Sequence, residues 1–162
     1  TSSVRDYELV STADIDKNIS GVLSLNNYEP ADYMDVLINC GGEELEVVQA
    51  ELSMEGQMSR ETRRSVIMAM RDCGVEYLAI GTIDINTPTP DDVSGGYRVN
   101  VSVNGEVLDL TARLPKKVAV IGPVQRRSGG VEDNEAVRNA LSSAGEVTAQ
   151  EIVARLNAKG IQ

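Results

Sequence analysis

The sequence predicts a mixed α/β fold, in which helices pack on a largely antiparallel sheet of about four to five strands. Three observations carry this prediction. A helix–helix–strand pattern runs from residue 43 to 85, apolar and polar residues alternate on both sides of Asn104-Gly105, and an alanine-rich stripe recurs from residue 134 to 156. Helical and strand periods therefore both occur in one chain.

The clearest element is the second helix of the 43–85 pattern. Ser59 predicts its start, because a serine hydroxyl accepts a hydrogen bond from an otherwise unpaired amide of the first turn. Glu61 adds negative charge at the positive end of the helix dipole, and Gly74 suits the left-handed residue that follows a helix. The apolar side is formed by Val66, Ile67 and Met70. Four arginines are left for the solvent side: Arg60, Arg63, Arg64 and Arg71.

Three segments are predicted as strands of the sheet. Residues 75–80 form a nearly unbroken apolar run, too short for a helix, which fits a strand covered on both faces. The alternation around Asn104-Gly105 predicts a hairpin with a two-residue turn, because Asn-Gly readily takes positive φ at both positions. Residues 117–124 form a further apolar strand before Gly129-Gly130.

The N-terminal region begins with a short strand and a helix. Residues 7–10 suit the strand, and Asp14 or Asp16 suits the cap of a helix that runs to about Leu25. Asn26-Asn27 then breaks the helix.

Residues 28–38 fit two structures. Pro30 suits the first turn of a helix and Gly41 suits its C-terminal cap. The aromatic and β-branched residues of the segment also suit a strand. We predict the strand, because another helix begins directly after it at residue 43.

The C-terminal part consists of a loop, the strand pair and a long helix. Residues 87–96 form a loop by their proline, aspartate and glycine content. The last helix starts at Asp133 or Asn134 and ends at Gly160, and Gly145 is a place where it can break. Its stripe consists of Val137, Ala140, Leu141, Ala144, Ile152, Val153 and Leu156.

The chain of 162 residues has the length of one domain. We expect residues 43–160 to form its α/β core, with the helix and strand of residues 1–42 as part of the same domain. The polar residues 1–14 do not follow the signal-peptide pattern. A mature protein after signal removal and a non-catalytic domain excised from a larger protein are both compatible with this.

The charge balance argues against nucleic acid as a partner. The chain has 25 acidic and 15 basic residues, a formal net charge of −10. Nucleic-acid binding depends largely on lysine and arginine neutralising phosphates, and an anionic membrane surface is disfavoured for the same reason. No segment approaches the roughly 20 apolar residues of a membrane span.

Residue content also predicts that the chain has no catalytic residues, cofactor or metal. It contains no histidine, the commonest general base and transition-metal ligand. Residues 14–18 begin like a calcium loop, but Ile19 and Leu25 stand where that loop needs glycine and glutamate. The alternative is a carboxylate-based, metal-dependent enzyme, which Asp91-Asp92 in the loop and the acidic excess leave open.

Two cysteines, Cys40 and Cys73, each precede a glycine. Their spacing does not show whether they lie close together in space. We expect free, partly buried thiols, which are common in protein cores, and a disulfide in an oxidising compartment is the alternative.

The 43–85 pattern resembles a bacterial envelope fold. The strings LEVV from residue 45, EL from 51, MEG from 54 and GVEYLAIGTI from 74 are similar to those of the curli-secretion-channel-like family. They are also similar to flagellar outer-membrane accessory lipoproteins and to the amino-terminal domain of the Tol translocation protein. The resemblance covers residues 43–158 and implies a non-enzymatic assembly domain in the periplasm or at the outer-membrane periphery of a Gram-negative bacterium. The chain lacks the long amphipathic insertions of channel-forming members, which argues against a pore.

The best candidates for contact with a partner protein are Arg60, Arg63 and Arg64. On a chain of net charge −10, a compact basic patch orients an acidic neighbour, including a second copy of the chain. The alternative is a solvated face whose arginines pair with nearby carboxylates. We expect solvated faces for the smaller clusters Lys116-Lys117 and Arg126-Arg127.

Overall fold

The computed structural model describes residues 19–161 and has the predicted mixed α/β fold. The described part of α1 covers 19–25. The other helices are α2 Tyr33–Cys40, α3 Leu45–Glu55, α4 Arg60–Asp72 and α5 Asp133–Ala158. The strands are β1 Tyr77–Ile85, β2 Thr89–Pro90, β3 Tyr97–Asp109 and β4 Lys116–Gly130. The predicted strand over 7–10, the candidate cap at Asp14 or Asp16 and the calcium-like residues 14–18 lie outside the described residues.

The four strands form one antiparallel sheet in which β3 pairs with each of the others. β2 is only two residues long and lies in the predicted loop, where Thr89 is opposite Arg98 and Pro90 opposite Tyr97. The amide of Asn86, between β1 and β2, donates to the carbonyl of Asn100 at 3.0 Å. These contacts lie along the N-terminal half of β3, and just past its C-terminal end the amide of Leu110 donates to the carbonyl of Glu76 at 2.8 Å.

The predicted hairpin turn at Asn104-Gly105 is wrong, because β3 runs straight through both residues. Neither residue has a positive φ, which a type I′ turn requires. Gly105 is needed for a close approach of backbones instead: a Cβ placed there would lie 2.8 Å from the carbonyl oxygen of Ile80. The turn that follows β3 lies further on, at 110–115.

The predicted strand over 28–38 is also wrong, since Tyr33–Cys40 forms helix α2. Asp32 caps the helix, and its carboxylate accepts a hydrogen bond from the amide of Met34 at 3.1 Å. Gly41 follows with φ 76° and donates its amide to the carbonyl of Leu37. These two local caps outweigh the β propensity of the apolar residues between them.

The strand predicted over 75–80 exists but is not covered on both faces. β1 extends to Ile85, and buried residues such as Leu78 are followed by exposed ones such as Ala79. An apolar run with small residues on its open side does not by itself show how many faces are covered.

Helices α4 and α5 follow the sequence closely. The hydroxyl of Ser59 accepts from the amide of Thr62 at 3.2 Å, and Gly74 has φ 76°. α5 passes through Gly145 without a break and ends before Gly160, where φ is 73°. All seven predicted stripe residues of α5 are buried: Val137, Ala140, Leu141, Ala144, Ile152, Val153 and Leu156.

The expectation of free thiols is wrong, because Cys40 and Cys73 form a disulfide with Cα atoms 5.8 Å apart. The two cysteines meet because of how the helices pack. Cys40 is the last residue of α2 and Cys73 follows the last residue of α4, and these two helices pack on each other. The predicted strand over 28–38 places no helix end at Cys40, so it does not predict this contact.

The chain divides into two compact units, each built from separate stretches. Within the described residues, unit 1 contains 19–29, 83–104 and 121–161, and its buried side chains include Val99, Val101 and the whole α5 stripe. Unit 2 contains 30–82 and 105–120. Its core consists of Val36, Val48, Val66, Ile67, Ala69, Met70, Leu78, Leu108 and Leu110.

Candidate protein-interaction surface

The three predicted interaction residues lie on the exposed side of α4, in unit 2. Arg60, Arg63 and Arg64 are all exposed. The opposite side of the helix is buried through Thr62, Val66, Ile67, Ala69 and Met70. The core therefore holds the helix in place and leaves these three guanidinium groups accessible.

Glu106 joins the arginines of α4 to the lysines of β4. One oxygen of its carboxylate lies 3.9 Å from Nη1 of Arg63, and the other lies 2.7 Å from Nζ of Lys117. The Glu106 side chain is 24% exposed. One half-buried carboxylate thus brings together two clusters that lie far apart in the sequence, and it cannot neutralise both cations.

Arg71 is predicted to lie on the solvent side of α4, but its guanidinium is hydrogen-bonded to the protein. Its Nε donates to the carbonyl of Leu110 at 3.1 Å, and its Nη2 donates to the carbonyls of Ala112 at 2.7 Å and Arg113 at 3.2 Å. The guanidinium offers several donors in a planar fork, so one side chain can hold several carbonyls of a turn. Arg71 therefore fixes the turn between β3 and β4 beside α4.

The turn and the first two residues of β4 add three more exposed cations to those of α4. We call the resulting set the basic surface: Arg60, Arg63, Arg64, Arg113, Lys116 and Lys117. Within the described part of the chain, Arg60, Arg64, Arg113 and Lys116 have no carboxylate within the 4.0 Å of an ion pair. Sequence reasoning missed Arg113, and it treated Lys116 and Lys117 as a separate solvated cluster. No sequence signal shows that this turn and α4 are neighbours.

The cations of unit 2 are confined to two segments, although α4 also carries the exposed Glu61 and Asp72. Every lysine and arginine of the unit lies on α4 or in residues 113–117. By contrast, residues 30–56, which contain α2 and α3, hold only acidic charges: Asp32, Asp35, Glu43, Glu44, Glu46, Glu51 and Glu55. Arg126 and Arg127, the other predicted cluster, belong to unit 1 and are exposed there.

A second feature, in unit 1, is a groove of about 510 Å³ at the loop that contains Asp91. The Asp91 carboxylate accepts from the Ser94 hydroxyl at 2.8 Å and from the Val93 amide at 3.1 Å, and it lies 3.0 Å from Nε of Arg98. These contacts, the Ser94 hydrogen bond first, hold the pKa of Asp91 below its ordinary value. Asp91 therefore organises the loop with its own neighbours.

Among residues 19–161, no group of three or more cysteine, aspartate or glutamate side chains is placed to hold a metal ion. No helix in the same range is long and apolar enough to cross a membrane.

Comparisons with known proteins add no relative. No family model, no curated protein and no solved structure matches the chain.

Proposed function

We propose that this chain is a non-catalytic interaction domain of the bacterial cell envelope, which binds an acidic surface of a partner protein through its basic surface. The partner completes a larger complex, and the domain acts as a subunit or accessory factor of that complex. The observation that supports this proposal most directly is the joining of the α4 arginines to Lys117 through Glu106.

Exposed charge without an intramolecular partner supports a docking role. Cations that already pair on their own surface offer little to a partner, since each exposed pair contributes about 0–1 kcal/mol. Here Arg60, Arg64 and Arg113 have no ion pair with a described residue. Lys116 differs, because it is near enough to Asp109 to help lower the pKa of that carboxyl, although the hydrogen bonds from Thr111 lower it more. Complementary charge raises association rates and selects the partner, and on a chain of net charge −10 this surface is selective for acidic proteins.

The disulfide supports an extracytoplasmic location. Disulfides persist in oxidising compartments such as the bacterial periplasm and are rare in the reducing cytoplasm. Cys40 and Cys73 are bonded. The resemblance of the GVEYLAIGTI string to envelope families agrees with the same compartment, and it is the only support for the Gram-negative periplasm or outer-membrane periphery in particular.

Residue types and geometry favour binding over catalysis. The chain has no histidine. In the loop that the enzymatic alternative depends on, the Asp91 carboxylate already contacts Ser94, Val93 and Arg98. Calorimetric titration with Ca²⁺, Mg²⁺ and Mn²⁺ tests the enzymatic alternative. A saturable heat with a thermal shift would favour it over the proposal.

Photo-crosslinking tests the proposed surface. A photoreactive amino acid is placed at Arg64 in the chain exported to a bacterial periplasm, and a matched chain carries it at Gln125, an exposed residue of unit 1. We expect a discrete protein adduct, identified by mass spectrometry, from position 64 and not from position 125. The adduct should be lost when Arg60→Glu and Arg113→Glu are added. Equal adducts at both positions, or an adduct that survives the charge reversals, would overturn the proposal.

A further inference from the structure

α2 and the start of α3 carry exposed carboxylates that form no ion pair within unit 2. We call four of them the acidic face: Asp32, Asp35, Glu44 and Glu46. None of them lies within 4.0 Å of a lysine or arginine nitrogen in the described part of the chain. Segment 30–56 itself contains no cation that can do so.

Apolar side chains accompany both charged surfaces. On the helices that carry the acidic face, Ile38 of α2 is 73% exposed and Met54 of α3 is 85% exposed. On the basic surface, Leu114 is 78% exposed and lies between Arg113 and Lys116 in the sequence. A single exposed apolar residue is ordinary. Here, however, the two surfaces carry opposite charges and each also has exposed apolar side chains, so they match in charge and in apolar character.

Helix α3 and Glu106 contact α4 on different sides. The hydroxyl of Thr62 donates to Glu51 of α3 at 2.8 Å. Arg63, the next residue along the helix, lies beside Glu106 of β3. Successive residues of an α-helix point about 100° apart. α3 therefore packs on one side of α4, and the basic surface occupies another.

We infer that a second copy of this chain docks its acidic face on the basic surface of the first. This inference rests on the proposed function and names the partner of that same surface. The contact is head-to-tail, because it joins two different surfaces rather than one surface to itself. Each copy keeps one unused surface of each kind after the first contact. Assembly therefore continues past the dimer and is not limited to pairs.

Two charge-reversal variants test the contact. The basic variant carries Arg60→Glu with Arg64→Glu, and the acidic variant carries Asp35→Lys with Glu46→Lys; all four residues are exposed. We expect each variant alone to associate at least about tenfold more weakly than the unchanged chain, because two attractions become repulsions. Circular dichroism and thermal unfolding check that each variant is folded.

Mixing the two variants gives the decisive result. The basic variant keeps an intact acidic face, and the acidic variant keeps an intact basic surface. We therefore expect the mixture to associate again, measured by analytical ultracentrifugation, because the two intact surfaces meet and the two reversed surfaces also carry opposite charges. A matched control, Arg126→Glu with Arg127→Glu, reverses two exposed charges of unit 1 and should associate like the unchanged chain.

Three outcomes would overturn the inference. These are a purified chain that stays monomeric at about 100 μM, variants that still self-associate, and a mixture of the two variants that stays monomeric. An adduct from position 64 to a different protein, with a monomeric purified chain, would overturn the second copy as partner while the proposed function stands. Self-association without any adduct from position 64 would instead count against the proposed function.

Discussion

Cys40, the last residue of α2, is bonded to Cys73, which follows the last residue of α4, and their Cα atoms are 5.8 Å apart. The bond joins the acidic segment of unit 2 to the helix that carries three of the six residues of the basic surface. Nearby, Gly42 approaches α4 so closely that a Cβ there would lie 2.9 Å from Cβ of Ala69. The relative position of the two charged segments is thus held covalently as well as by packing.

Removing the disulfide should destabilise the protein substantially. The bond closes a loop with a sequence separation of 33 residues, and it limits the conformations of the unfolded chain. We expect Cys40→Ser with Cys73→Ser to lower the free energy of unfolding by about 2–4 kcal/mol. Urea denaturation measures this. A reducing agent should lower the stability of the unchanged chain and leave that of the double variant the same; equal sensitivity of both would contradict the prediction.

Gly105 should tolerate no side chain. A Cβ there would lie 2.8 Å from the carbonyl oxygen of Ile80, so Gly105→Ala must displace backbone and should cost about 1–3 kcal/mol. Gly21→Ala is the matched control, because Gly21 is in α1 and a Cβ there meets nothing within 4 Å. The control should be neutral or stabilising by up to about 1 kcal/mol. Thermal unfolding of both variants decides, and a stable Gly105→Ala variant would be inconsistent with the strand.

Arg71 should matter for stability more than the other arginines of α4. Arg71→Ala removes the donors to the carbonyls of Leu110, Ala112 and Arg113 and should cost about 1–2 kcal/mol. Arg64→Ala, on the same helix, should change stability by less than about 0.5 kcal/mol because its side chain is exposed. Urea denaturation compares the two, and equal effects would show that the turn does not depend on Arg71.

Glu51 should contribute to acid sensitivity. Its carboxylate accepts from the Ser59 amide at 2.7 Å and from the hydroxyl of Thr62 at 2.8 Å. These hydrogen bonds, that of the Ser59 amide foremost, lower the pKa of Glu51 below its ordinary 4.5. A lowered pKa in the folded state means that the stabilisation is present above about pH 4.5 and is lost as pH falls through the folded-state pKa.

The test of Glu51 compares variants across this pH range. Glu51→Gln should lower stability at pH 7 and reduce the further loss between about pH 5 and pH 3. Glu55→Gln changes an exposed carboxylate of the same helix that has no hydrogen-bond partner among the described side chains, and it should keep the acid limb of the unchanged chain. An identical acid limb in both variants would rule out a role for Glu51.

Removing the hydroxyl of Thr148 should make the protein more stable. The residue is 4% exposed on α5, and its Oγ1 has no hydrogen-bond partner among residues 19–161. Thr148→Val keeps the shape and removes a desolvated polar atom, so the free energy of unfolding should rise by about 1 kcal/mol. Thr148→Ser keeps the hydroxyl and leaves a small cavity, and should be less stable than the unchanged chain. A Val variant less stable than the unchanged chain would indicate that the hydroxyl is satisfied in solution.

The sequence determined those features that depend on local periodicity and on the ends of elements. Ser59 and Gly74 mark the ends of α4 correctly, and the alanine-rich stripe identifies the buried side of α5 residue by residue. These predictions succeed because a cap or a stripe depends only on neighbours within a few turns of the same helix. The exposure of Arg60, Arg63 and Arg64 follows from the same periodicity.

Tertiary structure decided whatever depends on residues distant in sequence. Asn104-Gly105 is compatible with a turn or with a strand, and the strand forms because β1 and β4 pair along β3 and bring the Ile80 carbonyl against Gly105. Whether Cys40 meets Cys73 depends on the packing of α2 on α4. The basic surface likewise exists only because Arg71 and Glu106 bring the β3–β4 turn beside α4. No local propensity encodes such distances, since they arise only when separate elements bury their apolar sides together.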